Sequence, residues 1–314
     1  MTTLEQPMSI DGNIVSALAG RLSGEAVIHR DEPLSRRTTL RVGGPADVYV
    51  EPASEADLSA VLKFCASSRL AVFVLGRGSN LLIRDGGIRG VVLSLSHGRF
   101  SGISAEGERL VCGAGARLKQ IAVEARRLGL AGFEFMEGIP GSLGGALRMN
   151  AGAMGTATFD VVERVRLMDY SGELLELTPA GMDVRYRGCE RMKTHIGLGA
   201  VLHGHPDSFE SVAQRMSAFS RKRWSSQPAA ASAGCVFKNP ADIAAGKLID
   251  ELGLKGTRVG GARVSLEHGN FIVNDGSATA ADVLGLIDLL RQRALADRGI
   301  RLQTEVEIVG EDLK

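Results

Sequence analysis

Residues 138–152 read GIPGSLGGALRMNAG, and five of these fifteen residues are glycine. Small side chains continue along the whole stretch, but apolar residues such as Ile139, Leu143 and Met149 are interspersed among them. A flexible linker would be more polar, so this composition favours backbone that packs closely against a flat, polyanionic ligand. A short helix beginning near Gly141 would also direct its first amides at phosphate groups. A tightly packed structural turn is the alternative explanation.

A second glycine-rich loop, GRGSNLL at residues 76–82, directly follows the apolar, strand-like segment AVFVLG at residues 71–76. Its glycines allow a tight turn with exposed backbone N–H groups, which can bind a pyrophosphate. The loop is not the G-x-G-x-x-G dinucleotide fingerprint, because Leu81 occupies the position of the third glycine. A plain turn explains this loop equally well.

The composition is that of an ordinary globular protein. Of the 314 residues, 44% are apolar and 23% are charged, which excludes a largely disordered chain, a fibrous protein and a small disulfide scaffold. This length predicts about two domains. The 37 basic and 36 acidic residues leave a net charge of +1, so no overall field attracts nucleic acid or an anionic membrane. Glycine is over-represented at 40 residues, and the glycines occur in groups.

The four cysteines, Cys65, Cys112, Cys189 and Cys235, form no C-x-x-C pair and no zinc-ligand spacing. We therefore expect thiols rather than disulfides, and no metal site. The N-terminal sequence lacks the basic start and apolar core of a signal peptide. No apolar run reaches the roughly 18 residues of a membrane-spanning helix. These observations predict a cytoplasmic protein without membrane insertion.

Strand and helix patterns alternate in the first part of the chain and predict an α/β domain. A helix is expected over residues 13–22, followed by polar, irregular sequence. A second helix is expected after Ser54, whose side chain is a candidate N-cap. Farther along, Ser171 and Gly172 separate two strand-like segments and predict a hairpin. The last third shows helix, strand, long helix and strand in succession, and the main boundary is expected near residue 205.

Eight segments in a fixed order resemble one known family. They are TTLRVGGPA at 38–46, GRGSNLL at 76–82, the stretch at 138–152, YR at 186–187, GCVFKNP at 234–240, AGKLI at 245–249, HGNFIVN at 268–274 and EV at 305–306. Together they resemble the UDP-N-acetylenolpyruvoylglucosamine reductase family of peptidoglycan synthesis, over about residues 34–310. No tyrosine-bearing insertion is evident between Arg187 and Cys235, so the chain is similar to the family form that lacks an additional tyrosine loop.

The resemblance implies a mixed α+β and α/β chain: a two-subdomain FAD-binding fold of the vanillyl-alcohol-oxidase (PCMH) type, followed by a C-terminal α+β substrate domain. It places an N-terminal extension at residues 1–33, the FAD-binding domain at 34–205 with a division near residue 98, and the substrate-binding domain at 206–314. The implied cofactor is non-covalent FAD, with NADPH as co-substrate. The implied partner is UDP-N-acetylglucosamine enolpyruvate, with no nucleic acid, and a monomer is expected.

In the implied reaction, NADPH reduces FAD, and the sugar nucleotide then replaces the nicotinamide. Hydride passes from flavin N5 to C3 of the enolpyruvyl group, and a proton added at C2 gives UDP-N-acetylmuramate. By the resemblance, the cofactor contacts are Thr39, Arg41, Gly43, Gly44, Gly76, Arg77, Gly78, Ser79, Asn80, Leu81, Gly138, Ile139, Pro140, Gly141, Ser142, Gly144, Gly145, Asn150, Ala151 and Gly152. The expected substrate contacts are Tyr186, Arg223, Gln227, Lys238, Asn239, His268 and Asn270.

Three residues match the catalytic positions of the family: Arg187, Cys235 and Glu305. Hydride addition at C3 moves negative charge toward C2 and the carboxylate, and the planar guanidinium of Arg187 suits that carboxylate. Cys235 stands where serine is the commoner proton donor to C2, and a thiol, with a reference pKa of about 8.5, is the stronger acid. Glu305 would lie beside the substrate carboxylate and would need a proton to donate a hydrogen bond there. An ordinary salt bridge, a buried thiol and a solvated carboxylate are the alternative readings of the three.

Two other functions compete with this one. A flavin oxidase of the same fold would use O₂, and a covalent flavin attached through histidine would favour it. A non-catalytic module that binds flavin or a sugar nucleotide would keep the glycine loops without the three catalytic residues.

Overall fold

The computed structural model describes residues 12–313. The chain forms two compact units, and each is assembled from three separate segments of sequence. The first unit contains the segment that ends at Asp31 together with Asp47–Gly76 and Gly90–Ser220. The second unit contains Glu32–Ala46, Arg77–Arg89 and the segment that begins at Arg221.

The α-helices of the described residues are α1 Gly12–Ala19, α2 Glu55–Ser67, α3 Leu118–Arg127, α4 Leu143–Met149, α5 Arg191–Thr194, α6 Phe209–Trp224, α7 Ala245–Glu251 and α8 Ala280–Arg298. Over residues 12–313, no helix has both the length and the apolar character needed to cross a bilayer.

The strands are β1 Val27–Pro33, β2 Pro45–Glu51, β3 Val72–Val74, β4 Leu81–Ile83, β5 Ile88–Leu93, β6 Ile103–Glu106, β7 Arg109–Gly113, β8 Leu130–Ala131, β9 Gly152–Ala153, β10 Thr156–Ala157, β11 Val162–Asp169, β12 Leu174–Leu177, β13 Val184–Arg185, β14 Gly188–Cys189, β15 His195–His203, β16 His205–Pro206, β17 Ser232–Cys235, β18 Arg258–Val259, β19 Ala262–Val264, β20 Phe271–Asn274 and β21 Glu307–Val309.

Two main sheets build the first unit. One has the strand order β1-β2-β5-β3, and the other has the order β12-β11-β15-β7-β6. Helix α2 packs over the first sheet, where Val48, Leu62 and Cys65 belong to one buried cluster. Helices α3 and α4 pack over the second sheet, where Leu147 and Val165 belong to another. Because strand faces and helix faces bury apolar side chains together, each sheet acquires its own core.

The buried carboxylate of Asp57 connects the start of α2 to the segment before β1 through hydrogen bonds. Its oxygens accept hydrogen bonds from Ser23 N and Ser23 Oγ, both at 2.8 Å, and from Ala53 N at 3.1 Å. Burial alone would raise the pKa of Asp57, but the hydrogen bonds from Ser23 and Ala53 outweigh burial, so the pKa is lowered overall. The charged form is therefore the one that the fold stabilises.

Replacing Asp57 by asparagine should reduce the free energy of unfolding at neutral pH by about 1–3 kcal/mol, as for a buried, charged hydrogen-bond partner. Because the folded pKa lies below the unfolded value of about 3.9, this stabilisation is complete above that value and is lost as the pH falls through the folded pKa. Urea unfolding from pH 7 to pH 3 would measure both effects. Asp288→Asn, which removes an exposed pair with Arg291, is the control and should change little. Equal losses in both variants would contradict the assignment.

The second unit contains the antiparallel sheet β17-β20-β19-β18 and the parallel pair β4 and β21. Helices α7 and α8 cover the sheet, and Phe237, Leu248 and Ile287 belong to its buried cluster. The first turn of α8 is capped by Thr279 and also by Asp85, whose two oxygens accept hydrogen bonds from the amides of Ala280 and Ala281. Residues far apart in sequence thus complete this unit.

Most of the predicted elements are confirmed. Ser54 Oγ accepts a hydrogen bond from Asp57 N at the start of α2, and β11 and β12 pair on either side of Ser171 and Gly172. The irregular segment expected after the first helix is wrong in part, because β1 occupies Val27–Pro33. This strand lies at the edge of its sheet and exposes several polar side chains, so it lacks the alternating apolar pattern that identifies a half-buried strand.

Candidate active site

The glycine run of residues 138–152 forms the short helix α4, which begins two residues later than expected. Its first two amides donate to backbone carbonyls: Leu143 N to Ala116 O at 2.9 Å, and Gly144 N to Ala114 O at 2.8 Å. A Cβ on Gly144 would lie 3.2 Å from Ala114 Cβ, so packing accounts for this glycine. A Cβ on Gly145 would meet only Ser142 Oγ, at 3.9 Å. The exposed backbone at Gly145 therefore fits the approach of a ligand such as FAD.

The two glycine-rich segments meet in the first unit. A Cβ built on Gly76, where the loop of residues 76–82 begins, would lie 3.1 Å from Ser142 Oγ. Ser142 is buried and precedes α4 directly, and its side chain makes no capping hydrogen bond to the helix. Two segments that the sequence assigns to one cofactor thus lie side by side here.

Arg187 lies in the turn of the hairpin formed by β13 and β14. Its φ of 56° falls in the left-handed region, which is costly for a residue other than glycine. Its guanidinium lies 5.3 Å from the centre of the Tyr186 ring, and Tyr186 is 79% exposed. Residues held in such conformations concentrate at functional sites, which favours a role for this turn.

Asn150 connects the end of α4 to this hairpin. It adopts a left-handed conformation at the helix C-cap, donates from Nδ2 to Arg185 O at 3.4 Å and accepts from Phe159 N at 3.2 Å. Asn150, a predicted cofactor contact, therefore holds the neighbouring main chain in place. Its hydrogen bonds bring the glycine run close to the Arg187 turn within the first unit.

In the second unit, the segment 38–46 meets the loop that follows Gly76. Thr39 N donates to Gly78 O at 3.3 Å, and Thr39 Oγ1 donates to Ser232 O at 2.7 Å. Gly78 has a φ of 59°, and a Cβ there would lie 2.8 Å from Arg37 O. A Cβ on Gly43 would lie 2.7 Å from Ile83 Cβ, and one on Gly44 would overlap Asp85 O. Close backbone packing thus requires these three glycines whether or not a cofactor contacts them.

Cys235 and Glu305 lie on adjacent segments of the second unit. Cys235 ends β17 opposite Phe271 of β20, and the next residue, Val236, accepts a hydrogen bond at its carbonyl from Glu305 N at 2.8 Å. Asn80 Nδ2 donates to Glu305 O at 3.2 Å. Glu305 precedes β21 by two residues. Two of the three predicted catalytic residues are therefore brought together, with the glycine loop at Asn80 beside them.

Cys235 is the cysteine with partial exposure, whereas Cys65, Cys112 and Cys189 are buried. Burial raises the pKa of Cys65 and of Cys112 to about 12. Burial also raises the pKa of Cys189, although hydrogen bonds with the Met192 and Arg191 backbone oppose it. Buried, protonated thiols are chemically inert.

Iodoacetamide at neutral pH should therefore label the folded chain once, at Cys235, and label all four cysteines after denaturation. Mass spectrometry of the intact protein and of its peptides would measure this. Cys235→Ser is the control and should take up no label while folded. Labelling of Cys65 or Cys112 at a similar rate would contradict the burial found here.

The side chains of three predicted substrate residues in the second unit form hydrogen bonds with the protein's own main chain. Asn270 is 2% exposed and bonds the main chain of Phe237 through both ends of its amide. Asn239 Oδ1 accepts from Ala245 N at 3.0 Å, at the start of α7. His268 Nδ1 accepts from Asn270 N at 3.1 Å, and burial, together with the charge of Lys255, lowers the pKa of His268. These hydrogen bonds indicate that His268, Asn239 and Asn270 hold neighbouring main-chain segments in place.

Arg223 and Gln227, which are half-buried, and Lys238 are the remaining predicted substrate residues of the second unit. Lys238 is exposed, and Gln227 N donates to Arg223 O at 3.0 Å just beyond the end of α6. The Arg223 guanidinium lies 5.9 Å from the ring of Trp224, which is 59% exposed. Trp224 is the single tryptophan of the chain and follows three cations, Arg221, Lys222 and Arg223. Within the described residues, no group of His, Cys, Asp and Glu side chains is arranged to hold a metal ion.

Similarity to known sequences first shows which class of protein this chain belongs to. The sequence profile of an FAD binding domain matches residues 46–178, which include Gly76, the α4 glycine run and strands β3 and β5 of the first main sheet. The chain is thus a flavin-dependent protein.

A second profile, that of the UDP-N-acetylenolpyruvoylglucosamine reductase C-terminal domain, matches residues 227–309. A UDP-N-acetylenolpyruvoylglucosamine reductase of Geobacter metallireducens is 44% identical over 304 residues, covering 96% of this chain and 100% of the relative. The enzyme of the same name from Clostridioides difficile is 42% identical over 90% of this chain and 93% of its own length. The crystal structure of the Thermus caldophilus enzyme matches with a TM-score of 0.79 and 36% identity, covering 90% of this chain and 98% of that one.

The chain belongs to the UDP-N-acetylenolpyruvoylglucosamine reductase family. The expected FAD-binding fold with its C-terminal domain, the FAD cofactor and the oxidoreductase class are confirmed by these matches. Arg187 lies in the first unit, and Cys235 and Glu305 lie in the second, so the joint action of all three stays a prediction.

Proposed function

We propose that this chain reduces UDP-N-acetylglucosamine enolpyruvate to UDP-N-acetylmuramate, with NADPH as the source of electrons, in the synthesis of peptidoglycan precursors. FAD, when bound, supplies the hydride that reaches C3 of the enolpyruvyl group. The segments that would hold it are the α4 glycine run with Gly76, and Thr39 with the loop at Gly78. The relatives named above carry this reaction in their names, and they support its transfer to this chain.

Three residues of this chain stabilise the negative charge that develops on the substrate and supply the proton to C2. In this proposal Arg187 binds the substrate carboxylate, because a fixed cation with a planar donor fork stabilises the negative charge that develops there. Cys235 gives its thiol proton to C2, which completes the lactyl ether. Glu305 lies beside the carboxylate and, when protonated, donates a hydrogen bond to it. The diphosphate of the substrate is assigned to the basic cluster Arg221–Arg223 and Gln227.

A single observation carries the proposal: the hydrogen bond from Glu305 N to Val236 O joins the Cys235 segment to a residue 70 positions farther along the chain. A module that only bound flavin would have no need to hold a thiol and a carboxylate on adjacent segments next to the glycine loop at Asn80. In this proposal, the arrangement supplies the acid that protonates the enolate.

The test follows the visible spectrum of the purified, FAD-loaded protein without oxygen. NADPH should bleach the flavin absorption, and subsequent addition of the enolpyruvyl sugar nucleotide should restore it. Absence of bleaching would leave a binding module. Bleaching that only O₂ reverses would indicate an oxidase, and both results would reject the proposal. Acid precipitation should release the yellow cofactor into the supernatant, since its attachment is non-covalent.

The proposal also includes the domain assignment, which takes residues 34–205 for FAD and 206–314 for substrate after an extension at 1–33. A cytoplasmic location, a monomeric state and the absence of a nucleic-acid partner belong to it as well. So does the assignment to the family form without the tyrosine loop.

A further inference from the structure

The side chain of Asn270 is engaged by a single residue, Phe237, two positions after Cys235. Asn270 Oδ1 accepts from Phe237 N at 2.8 Å, and Asn270 Nδ2 donates to Phe237 O at 2.8 Å. With 2% of the residue exposed, water cannot replace either hydrogen bond. The planar amide thus acts on Phe237 as a neighbouring strand would.

The residue between Cys235 and Phe237 is held from both sides. Val236 N donates to Asn270 O at 2.9 Å, and Val236 O accepts from Glu305 N at 2.8 Å. Asn270 therefore contacts the segment through its main chain and its side chain, directly after the point where the β17–β20 register shifts between Ser232 and Cys235. Cys235 itself pairs with Phe271 after this shift, and Asn270 fixes the two residues that follow Cys235.

We propose that Asn270 is a positioning residue, which fixes the Val236–Phe237 main chain and thereby aims the Cys235 thiol and keeps it beside Glu305. This inference rests on the proposed function for the statement that Cys235 delivers a proton. It reassigns Asn270 from the substrate contact that the sequence suggested. Asparagine suits the task because one short side chain offers both a donor and an acceptor to a single peptide unit.

The consequence is a defect confined to one half of the reaction. A donor shifted by a fraction of an ångström loses alignment with C2, and misplacement of this kind slows a reaction by about 10- to 100-fold. Electron delivery from NADPH does not involve the thiol. The oxidative half-reaction, in which the sugar nucleotide is reduced, is therefore the step that depends on Asn270.

The test uses the FAD-loaded enzyme with Asn270→Ser and Asn270→Leu, and with Asn274→Ser as the matched control. Asn274 is a buried asparagine at the end of β20, the strand that Asn270 precedes, and its amide bonds Leu40 O at 3.0 Å, Arg41 O at 3.4 Å and Gly276 N at 2.7 Å instead of the Cys235 segment. Asn270→Ser and Asn274→Ser each remove buried amide hydrogen bonds, so urea unfolding is expected to show similar losses of stability for these two variants. The control separates general weakening from an effect on Cys235.

Two measurements test whether Asn270 positions Cys235. In both Asn270 variants, the rate of Cys235 alkylation by iodoacetamide should change severalfold, and reoxidation of the reduced enzyme by the sugar nucleotide should slow about 10- to 100-fold. Reduction by NADPH should stay close to the wild-type rate. In Asn274→Ser, alkylation of Cys235 should match the wild type, because the amide that is lost bonds Leu40 and Arg41 and not the Cys235 segment. Equal behaviour of the Asn270 and Asn274 variants would overturn the proposal.

The alkylation readout needs no substrate, so it tests the positioning role even if the wild-type enzyme fails to reduce the sugar nucleotide and the proposed function falls. Should neither Asn270 variant fold, hydrogen exchange of the wild-type protein decides instead. The Phe237 amide should then exchange as slowly as those of β20, and rapid exchange would show that Asn270 does not hold this segment.

Discussion

Cys235→Ala should lose nearly all turnover while its flavin is still reduced by NADPH at a rate close to that of the wild type. The thiol is the acid that the proposal assigns to C2, and a positioned general acid contributes about 10²- to 10⁴-fold to a rate. Hydride delivery to C3 remains possible, but the enolate that results has no nearby proton. Stopped-flow absorbance of the two half-reactions, measured separately, would locate the defect.

Cys235→Ser is the matched comparison, because a hydroxyl keeps the size and the proton while lowering the acidity. This variant should retain a large part of the turnover and should become insensitive to iodoacetamide. Full turnover by the alanine variant would show that another group, or water, protonates C2. A serine variant as slow as the alanine variant would show that thiol acidity, rather than simple proton donation, limits the step.

Gly87→Ala should prevent the second unit from folding. Gly87 is buried with a φ of 84°, and a Cβ there would overlap the carbonyl oxygen of Pro45. Its neighbours are backbone atoms, which cannot move aside as a flexible side chain would, because Glu311 N also donates to Gly87 O at 2.9 Å. We expect a loss of at least about 4 kcal/mol, a large share of the 5–15 kcal/mol that holds a typical domain together.

The yield of soluble protein and the urea midpoint would measure this loss. Gly98→Ala is the control, since Gly98 is exposed and a Cβ there would meet no atom within 4 Å. The control should fold and bind FAD as the wild type does. Normal folding of Gly87→Ala would mean that the backbone around Pro45 relaxes much more readily than its packing indicates.

Local patterns predicted the regular elements well. Ser54 followed by Glu55 and Asp57 marks the start of α2, and Ser171 with Gly172 marks the turn between β11 and β12. These signals depend on residues within four positions of one another, so a single sequence contains them in full. Edge strand β1 was missed because its polar side chains leave no period of two.

The roles of individual site residues were harder to predict. Asn80, Asn239 and Asn270 look like ligand contacts in sequence, yet their amides bond the backbone at Glu305, Ala245 and Phe237. Gly43 and Gly44 look like parts of a cofactor loop, yet packing against Ile83 and Asp85 already requires them. Such partners lie from a few to more than two hundred positions away in the chain, and only the folded structure shows which of them meet.

The parallel pairing of β4 with β21 has a consequence for synthesis of the chain. Leu81–Ile83 pairs with Glu307–Val309, and Arg84 also bonds Asp312. Joining these ends closes a loop of more than two hundred residues, which is entropically costly and slow. Until residues 307–309 have been synthesised, Leu82 and Ile83 are an apolar segment without its native strand partner. The second unit therefore completes its fold late in synthesis, after most of the chain has already been made.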